Sequence, residues 1–156
     1  MGLPKETPME DLEPLLAAHP FFQGLAPRFI KLIAPCGARV TFNAGQFLCH
    51  ENEEAGQFFV INHGRVAVEI YRHRGGPVTI QTLGDGDVLG WLGFLNPYHW
   101  HLDARAVELT RAVSLDVLCL LEKCEQDHEL GYELLKRYAH YLAVQFRVTK
   151  LQLLDM

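Results

Sequence analysis

His99 and His101 flank Trp100 in an H-x-H pattern. On a barrel strand that spacing puts two imidazoles on one face, an arrangement suited to a transition metal. Such a site wants a carboxylate a few residues later, but Asp103 is too near and Glu108, seven residues beyond His101, is too far. His50, His63 or His73 would have to complete it. Cysteine chemistry is the other candidate. Cys36, Cys49, Cys119 and Cys124 form no C-x-x-C, and Cys119 to Cys124 is too wide for a zinc knuckle. Cys49 and Cys119 sit among apolar residues, so the expectation is reduced, mostly buried thiols in a cytoplasmic protein. No Ser/His/Asp or Cys/His constellation and no Walker-type glycine pattern stands out. The run Gly84 to Gly90 lacks the strand–helix context of a dinucleotide site. The residues therefore predict no catalytic group and no metal, and the chain does not read as an enzyme.

The whole composition agrees. The chain has 156 residues, 49% of them hydrophobic and 21% charged, which suits one core-forming domain over 1–156. Fourteen Lys and Arg against nineteen Asp and Glu leave a net charge of −5. A module built to neutralise phosphates is usually basic, so nucleic acid is not the expected partner. No apolar run approaches the ~20 residues that span a bilayer. The opening MGLPKETPMEDLEP has no apolar signal region, and Glu6 and Thr7 break the myristoylation pattern. Neither membrane nor secretion is expected.

Three regions position the candidate residues. Residues 9–36 read as short helices. Leu12, Leu15 and Leu16 fall at helical spacing with Pro14 in a first turn, and Phe29, Ile30 and Ile33 share a second helix that Pro35 stops. Residues 38–117 read as short strands between turns, with Val66, Val68 and Ile70 alternating against Ala67 and Glu69 as in a half-buried strand. That rhythm predicts an antiparallel barrel or sandwich. Within it, Trp91 to Leu95 reads as one helical turn. Residues 118–156 return to helix. There Tyr132, Leu135, Ala139, Leu142, Phe146, Thr149 and Leu153 recur at alternate steps of three and four, beside a second stripe of Leu134, Tyr138, Tyr141 and Val148. Two adjacent apolar stripes need more cover than one barrel wall gives. The expectation is a homodimer through Leu135, Ala139, Leu142, Phe146 and Leu153.

The order of these elements, with the residues at their joints, resembles the cyclic-nucleotide-binding domain over about residues 19–150. His19-Pro20-Phe21-Phe22-Gln23-Gly24-Leu25 is similar to the family's first short helical motif. Gly45, Gly64 and Gly86 fall at turns, and Gly64-Arg65-Val66 resembles its G-x-V turn. Leu83-Gly84-Asp85-Gly86-Asp87-Val88-Leu89-Gly90 is similar to the stretch entering the phosphate-binding cassette, here 84–106. The resemblance implies a mainly β jelly-roll, or double-stranded β-helix, with short N-terminal helices and a long C-terminal one.

It also implies a ligand site, formed of Gly90, Trp91, Leu92, Gly93, Trp100, His101 and Arg105. In the family a glycine lets the backbone approach the ligand and a helical turn aims N–H groups at the cyclic phosphate. A glutamate then meets the ribose and an arginine pairs with the phosphate. Here Trp91 stands at the glutamate position and, counting without gaps, Trp100 stands at the arginine position. Sliding Arg105 into that place requires a five-residue insertion. Loss of the arginine costs about 2–5 kcal/mol in the bound state, so cyclic AMP and cyclic GMP are expected to bind weakly or not at all. Trp91 and Trp100 either fill the pocket or line it for a planar ligand. The chain ends where the family places an output domain, so the expected function is a stand-alone regulatory sensor, without a DNA-binding domain, that signals through its last helix to a protein partner or a second copy. The alternatives are a cupin-type metalloenzyme using His99 and His101, and a ligand-free structural dimerisation subunit.

Overall fold

A computed structural model describes residues 11–90 and 99–155. The chain opens with α1 (Glu13–Ala18), whose Pro14 sits in the first turn, where its missing N–H costs nothing. The residue before Pro20 is driven to extended backbone, so His19 ends the helix and a 3-10 turn follows over Pro20–Phe22. Helix α2 (Pro27–Ile33) starts on a proline and buries Phe29, Ile30 and Ile33.

Eight strands follow: β1 (Gly37–Phe42), β2 (Phe47–Cys49), β3 (Gln57–His63), β4 (Val66–Arg72), β5 (Gly76–Leu83), β6 (Val88–Leu89), β7 (Asp103–Ala106) and β8 (Thr110–Asp116). They form two antiparallel four-stranded sheets in the orders β1-β8-β3-β6 and β2-β7-β4-β5. The sheets face each other as a jelly roll. The expected antiparallel β class with flanking helices is the class observed.

Two apolar clusters explain the pattern of the strands. One fills the roll with Val40, Phe42, Phe59, Ile61, Val66, Val68 and Leu83 among others. The other lies outside the first sheet, where Phe58, Val60, Val113 and Leu115 meet the helices. Strand β3 is therefore buried on both faces, which is why Phe58-Phe59-Val60-Ile61 reads as an unbroken apolar run rather than an alternation.

Strand β4 departs from the alternation expected of it. Val66 and Val68 point into the roll, but Ala67 and Glu69 on the other face are also buried. A bulge between Val68 and Glu69 then shifts the register against β5, and Ile70 emerges 40% exposed. Two glycines are required by geometry. A Cβ on Gly64 (φ +131°) would lie 2.6 Å from the Thr110 Cα, and one on Gly90 (φ +123°) would lie 3.0 Å from the Gln57 carbonyl oxygen. Gly45 and Gly86 also sit at positive φ.

Asp116 caps α3 (Val117–Gln126) by accepting from the Cys119 N–H at 2.8 Å. Asp127 caps α4 (His128–Leu154) through the N–H groups of Glu129 and Leu130, and receives Arg28 of α2 at 2.9 Å. No helix among the described residues is long and apolar enough to cross a membrane.

The cysteines correct the sequence reading. Cys36 and Cys119, 83 residues apart, form a disulfide, while Cys49 and Cys124 are buried free thiols. The antiparallel register that sets Gly37 opposite Leu115 brings the end of the first helical layer beside the start of α3. The two Cα atoms then stand 5.6 Å apart, within the range a disulfide spans.

Candidate ligand pocket and terminal helix

Trp100 is the residue around which the pocket region is organised. Its N–H donates to the Glu53 carbonyl at 2.8 Å and its carbonyl accepts from the Asn52 N–H at 2.8 Å, so the 99–100 segment pairs with the 51–56 loop. The Glu54–His99 bridge continues that pairing. Anchored this way, the indole is 4% exposed and belongs to the cluster inside the roll, with Phe42, Leu48, Val66, Leu83, Leu89 and Ala104 among its members. Its far edge reaches the base of the cassette, where a Cβ on Gly90 would lie 3.2 Å from the Trp100 Cη2. Trp91, Leu92, Gly93 and the expected helical turn at Trp91 to Leu95 lie outside the described residues.

Arg105 is directed elsewhere. Its strand neighbours Ala104 and Ala106 are fully buried in the roll, so alternation sends Arg105 to the outer face. There its Nε and Nη2 donate to the two Glu69 carboxylate oxygens at 3.1 and 3.3 Å. This forked pair takes up the guanidinium and raises its pKa, first through the Glu69 hydrogen bond. Arg105, expected among the candidate ligand contacts, is thus held by Glu69 on the outer face. His101 and His99 are both exposed. Among the described residues, no three His, Cys, Asp or Glu side chains gather as metal ligands.

Helix α4 divides its two stripes between two roles. Leu130, Leu134 and Tyr138 are buried against the domain. The Tyr138 hydroxyl donates to the Gly90 carbonyl, and the Tyr141 hydroxyl donates to the Val88 carbonyl at 3.0 Å. Burial pushes both phenols up, Tyr141 to about 12. The other stripe is open, with Tyr132 64%, Phe146 65% and Leu153 62% exposed and Leu135 and Ala139 also at the surface. Leu142 is half-buried.

On the opposite flank of α4, a groove of about 760 Å³ separates it from the Pro20–Gly24 segment and Gly86–Val88. Arg137 crosses this groove, bonded to the Glu133 carboxylate at 2.6 Å and to the Gln23 carbonyl at 3.0 Å.

Sequence reasoning missed the roles of four side chains, His19, Glu69, Tyr138 and Tyr141. His19 is 2% exposed, accepts from the Phe21 N–H through Nδ1 at 3.1 Å and donates from Nε2 to the Ile61 carbonyl at 3.0 Å. That bond pattern assigns the neutral Nε2–H tautomer. Its sequence signals are its place before Pro20 and at the head of the His19–Leu25 stretch. Glu69 had a weaker signal, a lone acid inside a β-branched strand. The role of the two tyrosines lay in the second helical stripe, whose target could not be read from one helix.

Comparison with known proteins follows the same lines. Residues 39–127, more than half of the chain, match the cyclic nucleotide-binding domain profile. No curated protein matches the chain. Among solved structures, a Geobacter metallireducens GS-15 protein named for cyclic-nucleotide binding is 25% identical, with a TM-score of 0.75 over 88% of this chain and 99% of that one. A cyclic nucleotide-binding domain from Methylobacillus flagellatus KT is 17% identical, with a TM-score of 0.78 over 93% and 82%. The Thermus thermophilus catabolite activator protein is 23% identical, with a TM-score of 0.69 over 86% of this chain and 61% of that one. By sequence profile and by fold alike, the chain belongs to the cyclic nucleotide-binding domain family.

Proposed function

We propose that this chain is a regulatory sensor module of its family in which Trp100 occupies the space a cyclic nucleotide would need, and that its output is made through α4. The observation that carries the reading is the indole inside the roll, 4% exposed and reaching Gly90. A side chain already packed there must be expelled before a nucleotide enters, and the residue removed from that position is the one that would have met the phosphate charge. Arg105 does not replace it, because Glu69 holds it on the outer face. Isothermal titration with cyclic AMP and cyclic GMP tests this. Heat-silent titrations, or dissociation constants weaker than about 100 μM, are expected; a micromolar constant for either nucleotide would overturn the reading.

The open stripe of α4 supports pairing with a second copy. Tyr132, Ala139, Phe146 and Leu153 take one core position of a heptad, and Leu135, Leu142 and Thr149 take the other. The outer flank of this seam carries Lys136, Ala143 and Lys150; the flank turned to the domain carries Tyr138 and Gln145. An antiparallel pair would set Lys136 against Lys150 of the second copy twice. A parallel pair sets Lys150 beside Gln145 instead, so charge selects the parallel, two-fold arrangement. Lys136 and Lys150 already lie over the Tyr132 and Phe146 rings at 5.0 and 4.7 Å, which keeps them at the edge of the seam. Sedimentation equilibrium checks the pairing: a dimer is expected that Leu142→Glu converts to monomer, and a monomer at 100 μM native chain would remove it.

A further inference from the structure

The disulfide joins two parts of the domain that are otherwise held by packing, by the Arg28 ion pairs to Asp127 and Glu129, and by the Arg137 bond to the Gln23 carbonyl. Cys36 closes the 3-10 turn that ends the first helical layer, directly after Pro35. Cys119 sits in the first turn of α3, the short helix that carries α4. Of the ten residues of α3, only Val117, Leu120 and Cys124 are buried, and Leu118 is 74% exposed. At its N-terminal turn the grip of α3 on the domain therefore rests on few apolar contacts, the Val117 N–H bond to the Gly56 carbonyl at 3.0 Å and the disulfide, while Arg28 holds its far end through Asp127. The two residues differ in exposure. Cys36 is 7% exposed, whereas Cys119 is only half-buried and lies at a helix N-terminus.

We propose that Cys36–Cys119 is a thiol–disulfide exchange site, and that a small dithiol reductant acting on it releases the first turn of α3 from the N-terminal helices. The reductant's thiolate attacks the sulfur of Cys119, the more exposed of the two residues, forming a mixed disulfide, and Cys36 leaves as the thiolate. The reductant's second thiol then attacks its own sulfur in the mixed disulfide and expels the Cys119 thiolate. Two electrons pass from the dithiol to the protein, the reductant closes to its cyclic disulfide, and the two protein thiolates take up protons. The reverse exchange with an oxidised dithiol restores the bond. Cys49 and Cys124 stay outside this exchange, since burial raises the pKa of each, that of Cys124 to about 11. Because α3 leads directly into α4, the exchange would alter how α4 is held against Val88 and Gly90. This last step rests on the output role proposed above for α4; the exchange site itself does not.

The test uses the full chain carrying Cys49→Ser and Cys124→Ser, equilibrated across mixtures of reduced and oxidised dithiothreitol. Thiols are trapped with a maleimide and counted by mass, and amide deuterium exchange is measured in both end states. The expected result is reversible conversion between one intramolecular bond and two thiols, with α3 amides exchanging about tenfold or more faster when reduced while β3 and β8 stay protected. A chain that forms no intramolecular bond at any poise, or equal α3 exchange in both states, would overturn the proposal. Cys36→Ser should reproduce the reduced exchange pattern in both buffers; if that variant does not fold, the two redox states of the parent decide alone. Sedimentation on the same samples separates the readings. Faster α3 exchange with no dimer in either state supports the exchange site and removes the pairing of α4.

Discussion

The Tyr138 hydroxyl donates its hydrogen bond to the carbonyl of Gly90, the residue that follows β6, across 48 residues of sequence. With Tyr141 on Val88, it ties the terminal helix to β6 by two phenols. The face of α4 not used for this is the open one. One helix is thus fixed beside Gly90 on one side and leaves an apolar stripe exposed on the other.

Removing that tie should be felt at both ends. Tyr138→Phe keeps the ring packed against Phe58 (centroids 5.9 Å apart) and deletes only the donor. The expected loss is about 1–2 kcal/mol, since a buried carbonyl is left with one partner fewer. Urea denaturation measures the loss, and deuterium exchange should quicken in β6 and in α4 from 134 to 141. An unchanged midpoint would mean that Gly90 is satisfied by water instead.

Trp100→Ala asks whether the indole is structural packing or an ornament of the surface. Removing the indole from the cluster that includes Phe42, Leu83 and Ala104 should cost about 3–5 kcal/mol, as for other large-to-small core changes. A thermal midpoint lowered by less than a few degrees would place the indole outside the core. Trp100→Arg sharpens the comparison. It restores the charge the family uses, so any gain in cyclic-nucleotide affinity over the parent should appear in this variant and not in Trp100→Ala.

Arg105→Ala should weaken the fold without touching ligand binding. The buried Glu69 carboxylate would lose both of its forked bonds, at a cost of about 1–3 kcal/mol. The double variant Arg105→Met with Glu69→Leu should recover most of this, because an apolar pair asks for no partner. Denaturation of the single and double variants tests the sign. A single variant as stable as the parent would show that solvent already satisfies Glu69.

Much of this arrangement is legible in the amino-acid sequence, and the limits have physical causes. Prolines and periodicity place α1, α2 and α4, because those signals are local: Pro14, Pro27 and Pro35 each act on their own turn. Turn glycines and alternation place most strands for the same reason. A gap-free count also places Trp100 at a ligand position, but only packing shows that its indole lies inside the roll. What cannot be read depends on register. Arg105 meets Glu69, and Cys36 meets Cys119, only because β7 pairs with β4 and β1 with β8 at particular offsets. Ile70, beyond the register shift between β4 and β5, is 40% exposed, which alternation alone does not foretell. Two helical stripes are visible on α4, but which one the domain claims is settled by the tyrosine hydroxyls finding carbonyls at Val88 and Gly90.

His19 supplies a prediction in pH. Burial dominates the shift of this imidazole and lowers its pKa below the ordinary 6.5, against the opposing pull of the Ile61 carbonyl and Asp87. The folded state therefore keeps His19 neutral where the unfolded chain would take a proton. The sign follows from linkage. Above 6.5 neither state is protonated and the full stability is present; as pH falls below 6.5 the unfolded state binds the proton first, and stability declines until the folded pKa is reached. The slope from this one group is at most about 1.4 kcal/mol per pH unit. The carboxylates held low by their partners, Asp127 by Arg28 and Glu133 by Arg137, lose their contribution only as pH falls through the acid range below their ordinary values near 4. The window between pH 6.5 and 5 thus separates the imidazole from these two carboxylates. Urea midpoints across that window should fall for the parent and flatten for His19→Gln, whose amide donates to Ile61 in either state. An equal slope in both proteins would move the titration to another histidine.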